Sequence, residues 1–187
     1  CEAELARQGR GRGPRGLRWP VLLARRSAEG AKPDAEREPG YQERDLPRMR
    51  DQLERDQKRY SETVDRRLFR SWVKRALALP AGPRIRAVDE AFGGAADDAA
   101  LAARIAALYG ASRVFDLTAR KAMFEETPEV LRARKDPLVD LGFALDAERK
   151  ALKERRDAAA GAVLRLRPAW RKAVIAEAGR PVAPDAN

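Results

Sequence analysis

Histidine is absent from the 187 residues, cysteine occurs once (Cys1) and asparagine once (Asn187). Without histidine, no Ser-His-Asp or Cys-His site can be assembled within this sequence. A structural zinc site of Cys/His type needs about four such ligands, and Cys1 stands alone. A single thiol forms no internal disulfide, so the cysteine count is silent about redox compartment. No apolar run approaches the ~18–20 residues that span a bilayer, so no transmembrane helix is expected. No stretch of alternating β-branched residues occurs between 45 and 178, which argues against strands there.

What the chain does contain is charge and alanine. Lys and Arg number 39 against 29 Asp and Glu, a formal net charge of +10. The mixture of Ala, Leu, Glu, Arg and Lys favours helix, because these side chains lose little freedom in a helical turn. Residues 1–40 break that pattern. They hold Gly9, Gly11, Gly13, Gly16, Gly30 and Gly40 with Pro14, Pro20, Pro33 and Pro39. This arm is expected to be irregular, with a helical turn or two near Val21–Ala28. Helical spacing begins at Asp45. The clearest face is Val64, Leu68, Phe69, Trp72, Val73, Ala76 and Leu77, one broad stripe at a 3.6-residue period. A short helix follows through Ile85, Val88 and Phe92, stopped at Gly93-Gly94. Asp97 or Asp98 caps the next, with Leu101, Ile105 and Leu108 as its face and Gly110 as its stop. Ser112 is expected to cap a further helix carrying Val114, Leu117 and Phe124. Thr127-Pro128 and Asp136-Pro137 each place proline at a first helical position, where its missing N–H costs nothing. From Pro137 a long helical segment runs through Leu138, Leu141, Leu145, Leu152, Ala159, Leu166 and Ala173. Its middle, Asp146 to Asp157, is charged nearly all round and reads as a helix crossing solvent. Phe69, Trp72 and Trp170 are expected in the core. The fold class is all-α, with roughly seven helices.

Few groups suggest chemistry. Gly11-Arg12-Gly13-Pro14-Arg15-Gly16 has the letters of a dinucleotide fingerprint but lacks the strand before it, and Pro14 and Pro20 interrupt it. Arg7, Arg10, Arg12, Arg15, Arg18, Arg25 and Arg26 face only Glu2 and Glu4 across residues 1–26. Such an arm suits phosphates. From residue 27 onward both signs interleave, as on a solvated helix surface, which weakens a nucleic-acid reading. The pairs Asp97-Asp98 and Glu125-Glu126 sit at helix ends, where carboxylates cap. Ser27, Ser61, Ser71 and Ser112 have no histidine to activate them. The start at Cys1 and the extended Pro181-Val182-Ala183-Pro184 near the end read as a fragment, with no signal-peptide pattern in this segment.

Four stretches carry a family resemblance. They are Arg37 to Leu46 (Arg-Glu-Pro-Gly-Tyr-Gln-Glu-Arg-Asp-Leu), Val64 to Phe69 (Val-Asp-Arg-Arg-Leu-Phe), Ala78 to Ile85 (Ala-Leu-Pro-Ala-Gly-Pro-Arg-Ile), and Gly179 to Asn187 (Gly-Arg-Pro-Val-Ala-Pro-Asp-Ala-Asn). In this order they resemble the bacterial serine exopeptidases of the dipeptidyl-peptidase seven and eleven and dipeptidyl aminopeptidase BII type. The resemblance covers about 32–187 and lies within the helical insertion of that family. It implies a cap domain over the cleft of a chymotrypsin-like double β-barrel. The implied reaction is release of dipeptides from peptide N-termini by a Ser-His-Asp triad. Periplasmic or cell-surface location and a full-length homodimer are also implied. The family's His and Asp precede this stretch and its Ser follows it. The asparagine that holds the substrate's amino group lies ahead of the matched part. Accordingly no catalytic, cofactor-binding or metal-ligating residue is assigned here, no cofactor is expected, and the partner is peptide substrate acting through the full-length enzyme. The expected organisation is an arm over 1–40, the helical cap over 41–180 and an extended exit toward a barrel over 181–187.

Overall fold

In a computed structural model, residues 13–80 and 84–179 are described. They form eight α-helices and two single turns of 3₁₀ helix at Asp34–Glu36 and Glu43–Asp45, with no strand among the described residues. The helices are α1 (Arg15–Gly30), α2 (Leu46–Lys58), α3 (Glu62–Leu77), α4 (Arg86–Phe92), α5 (Asp98–Ala111), α6 (Leu117–Glu125), α7 (Pro128–Ala133) and α8 (Pro137–Ala178). The chain is all-α, as the sequence implies. It divides into two compact units, residues 1–149 and 150–187.

The first unit buries two apolar clusters. One gathers Phe69, Trp72, Val73 and Ala76 of α3 with Val88 and Phe92 of α4, Leu101, Ile105 and Tyr109 of α5, and Leu138, Leu141 and Leu145 of α8. The other joins Leu53 of α2, Met123 and Phe124 of α6, Leu131 of α7 and Val139 of α8. Helix α1 serves both: Leu17 enters the first cluster, Trp19 and Leu23 the second. It packs on α3, α6 and α7.

The arm is therefore not irregular over 15–30, and α1 is the eighth helix that spacing alone does not reveal. Its buried face is Gly16, Leu17, Trp19, Pro20, Leu23, Ala24 and Ser27, a helical stripe built partly from residues that count as breakers or polar. Pro20 inside the helix removes one backbone hydrogen bond at a cost of about 3 kcal/mol. Burial of Leu17 and Leu23, at about 1.5–3 kcal/mol each, offsets that cost.

Other boundaries shift for local reasons. In α3 the buried stripe runs through Asp65, Phe69, Trp72, Val73 and Ala76, while Val64 and Leu68 stay about half exposed. A carboxylate takes the inward position that apolarity assigns to its neighbours. Ser112 does not cap a helix: α6 starts at Leu117, where the Asp116 side chain accepts from the Ala119 N–H at 2.7 Å. Helix α5 runs past Gly110 to Ala111. Asp97 caps α5, accepting from the Ala100 N–H at 2.7 Å. Gly93 keeps a right-handed φ of −62°. The left-handed glycine that closes a helix is Gly179, at φ +62°.

In the second unit, residues 150–178 continue as helix through Pro168. Of the charged stretch Asp146 to Asp157 expected to cross solvent, residues 153–157 are exposed, with Lys153 paired to Asp157 at 2.7 Å, whereas Asp146 is buried and Glu148 to Lys150 are half-buried. Trp170, expected in the core, is 67% exposed. Its helical spacing is real, but no described residue of the second unit covers that face. The exit stretch 181–187, the turn 81–83 and Gly11-Arg12 of the glycine motif lie outside the described residues.

One close approach fixes how α1 meets the start of α8. A Cβ added at Gly142 would lie 2.5 Å from the backbone carbon of Pro20 and 2.6 Å from its oxygen. Helix propensity alone would make Gly142→Ala stabilising by about 1 kcal/mol. Packing reverses the sign, and the substitution is expected to cost about 1–3 kcal/mol. Gly110 has open space around its Cβ position, so Gly110→Ala is expected to gain about 0.5–1 kcal/mol. Urea unfolding of the two variants checks the pair. A stabilised Gly142→Ala would contradict the packing described.

Candidate functional site

The residues that the sequence offers for chemistry are spread over separate helix ends. Asp97 is engaged as a cap. Asp98 faces Lys74 at 3.3 Å and Arg70 at 3.7 Å. Glu125 accepts from Arg50 at 2.6 and 3.0 Å, which holds its carboxyl below the usual range. Glu126 pairs with Arg134. Neither pair converges on a shared proton. Ser27 donates to the Ala24 carbonyl at 2.9 Å. Ser112 donates to Asp136 at 2.8 Å, but that carboxylate also accepts from the backbone N–H groups of Arg113, Leu138 and Val139. It closes the start of α8 and is occupied as a base. Among the described residues no three His, Cys, Asp or Glu side chains gather as a metal site.

The groups with the most developed environments are structural ones. Pro14 precedes α1 and offers no side-chain oxygen to its first N–H groups. Asp65 of α3 fills that role. Its carboxylate accepts from the N–H groups of Arg15 and Gly16, the latter at 2.8 Å, and from the Tyr109 hydroxyl at 2.6 Å. A helix N-terminus is a site for an anion; here the anion is the protein's own. The end of the glycine motif thus does meet a negative charge, but an internal carboxylate rather than a phosphate. Gly16 is required for a steric reason, since a Cβ there would lie 2.3 Å from the Tyr109 hydroxyl oxygen.

Behind Asp65, Arg15, Arg18 and Arg25 turn inward, while Arg7, Arg10 and Arg12 lie outside the described residues. Arg15 and Arg18 both reach Asp56, at 3.1 and 3.3 Å. Arg25 pairs with Glu38 and lies 4.8 Å over the Tyr41 ring. Glu29, fully buried, accepts from Lys32 at 2.7 Å and from the Glu38 N–H at 2.8 Å. Arg120 is also fully buried. It stacks 3.6 Å from the Trp19 ring centroid and donates to the Val114 carbonyl and the Gln57 amide oxygen, each at 2.7 Å. Burial lowers its pKa to about 10. Sequence reading does not reach Arg120, because nothing separates it from Lys121 or Arg132 on equally charged helices. The same applies to Asp65, inside the run Val64-Asp65-Arg66-Arg67.

Chemically, these groups hold backbone and rings in place. Aromatic rings connect the two clusters: Trp19 meets Tyr60 at 5.2 Å, Tyr60 meets Phe115 at 5.4 Å, Phe115 meets Tyr109 at 4.4 Å, and Tyr109 meets Phe69 at 5.7 Å. The sequence has three tyrosines, and burial holds all of them above the usual phenol range, with the Asp65 charge adding to the effect at Tyr60 and Tyr109. A group whose folded pKa is raised contributes stability that is intact below its unfolded pKa and is lost above it. The window therefore opens near pH ~10, the unfolded value for tyrosine. Arg120, depressed to about 10, acts in the opposite sense there, as do Arg18 and Arg26, which burial also lowers, but the phenols of Tyr60 and Tyr109, each raised further by the Asp65 charge, outweigh them. Stability is expected to fall from about pH 10 upward, with phenolate absorbance rising only as the helices melt. Paired titrations of absorbance at 295 nm and circular dichroism at 222 nm check this. A phenol titrating near pH 10 in still-helical protein would contradict it.

Comparison with known proteins gives these features a context. The family model described as Peptidase S46 matches residues 5–187. The match includes the arm, so the family reaches further toward the start than the 32–187 implied by motifs. An Asp/Glu-specific dipeptidyl-peptidase of Shewanella putrefaciens (strain CN-32 / ATCC BAA-453) is 33% identical over 168 residues, covering 88% of this chain and 23% of the relative. The chain thus spans about a quarter of that relative's length. By a family match that takes in both the Asp65-anchored α1 and the long α8, this chain belongs to the peptidase S46 family.

Proposed function

We propose that this chain is the helical lid segment of a serine exopeptidase that releases dipeptides from the free N-termini of peptides. The observation that carries the reading is the Peptidase S46 match over residues 5–187. Likeness to an enzyme named as a dipeptidyl-peptidase supports it. The absence of histidine agrees with a triad held elsewhere in the full-length polypeptide, since a serine nucleophile needs a base. A helical cap suits an exopeptidase physically. Closure over a cleft excludes water and leaves room for only a short N-terminal stretch, which sets where the bond is cut.

The full-length protein is proposed to act as a homodimer in the periplasm or at the cell surface. The acidic preference in the relative's name is not carried to this chain, because the pocket that sets it is expected in the barrels. In the described part of the arm, Arg15, Arg18 and Arg25 engage Asp56 and Glu38 rather than standing free for phosphates.

Dipeptidyl-coumarin substrates with acidic and apolar second residues test the proposal. The purified 187-residue chain is expected to release no coumarin above buffer, whereas the full-length protein cleaves at least one substrate. Turnover by the 187-residue chain would overturn the lid role. A full-length protein inert on the whole panel would overturn the exopeptidase reading.

A further inference from the structure

The second unit carries an apolar face that none of its own described residues covers. Val163, Leu164, Leu166 and Trp170 on α8 are 59–67% exposed. Ala159, Val163, Leu166 and Trp170 follow intervals of four, three and four, the spacing of a seam that packs against another helix. At about 100° per residue, Leu152 and Val174 extend the same side. The charges beside the seam are basic: Arg167 and Arg171 flank it, Arg165 and Lys172 lie on the opposite side, and residues 158–176 hold neither Asp nor Glu. Exposed apolar surface on this scale, rimmed by charge, marks an interaction site.

We propose that this face docks an acidic amphipathic helix supplied by the part of the same polypeptide outside these 187 residues. The inference rests on the reading above, that the chain belongs to a longer peptidase. Two observations select the occupant. The chain covers 23% of its dipeptidyl-peptidase relative, so a polypeptide of that size has about three quarters of its length available to supply a partner helix. The basic margin formed by Arg167 and Arg171 favours an acidic partner by charge complementarity. A second copy would instead set the Arg167 and Arg171 margins against each other, with Asp157 and Glu177 as the nearest carboxylates at the ends of the seam.

Amide hydrogen exchange of the 187-residue chain and of the full-length protein tests this. Amides of 158–176 are expected to exchange at least tenfold more slowly in the full-length protein. The double variant Arg167→Glu, Arg171→Glu, beside the seam, removes most of that protection, whereas Arg165→Glu, on the far side of the helix, keeps it. Equal exchange in the two forms would overturn the proposal. So would protection that arises in the 187-residue chain alone, by dimerisation in sedimentation or on phosphatidylglycerol vesicles. Protection in a full-length protein without exopeptidase activity would uphold the docking and overturn the enzymatic reading, so the two fail separately.

Discussion

The carboxylate of Asp65 is the contact on which the first unit's architecture depends. Two backbone N–H groups at the start of α1 and one phenol on α5 converge on it from different parts of the chain. Each donor is buried or half-buried and has given up water to be there, so the bonds matter more for what their loss would cost than for their net gain. Through Asp65, α3 fixes where α1 begins. Through α1, the two apolar clusters share a wall, because Leu17 faces one and Trp19 and Leu23 face the other. Gly16 and Gly142 are the steric conditions of that arrangement: one admits the Tyr109 hydroxyl, the other admits the Pro20 backbone.

This scaffold and the proposed role fit together. A lid contributes shape and rigidity, not a nucleophile, and the described groups with perturbed environments are committed to internal contacts. Asp56, Asp65, Asp136 and Glu29 each hold backbone or arginine donors. The basic excess of the arm, which resembles a nucleic-acid tail when read as composition, is largely neutralised where the structure describes it. The second unit differs. Its helix is apolar on one side, with Arg167 and Arg171 along one margin and its large side chains in solvent.

Much of the first unit was legible from sequence. The stripes Phe69-Trp72-Val73-Ala76 and Leu101-Ile105, the Asp97 cap and the Asp136-Pro137 start follow from spacing and cap chemistry. What escaped did so for identifiable reasons. Helix α1 buries glycine, proline and serine, so a count of apolar positions passes over it, and its capping anion is 50 residues away in sequence. Asp65 replaced Val64 and Leu68 as the inward residue of α3 because a carboxylate with three donors is tolerated where an unpaired one is not. Trp170 misled in the other direction, since helical spacing states which residues share a face and not whether anything covers it. No catalytic constellation was legible, and the family was recognised from short motifs rather than from chemistry.

Replacement of Asp65 tests the central claim most directly. Amide exchange across residues 15–30 is measured in wild-type and Asp65→Ala protein, alongside urea unfolding. Protection of α1 is expected to collapse and stability to fall by about 3–5 kcal/mol, the cost of leaving two backbone N–H groups and a phenol hydroxyl without their acceptor, at about 1–3 kcal/mol each. An Asp65→Ala protein that keeps α1 protected and loses less than about 1 kcal/mol, the net worth of a single hydrogen bond, would contradict it.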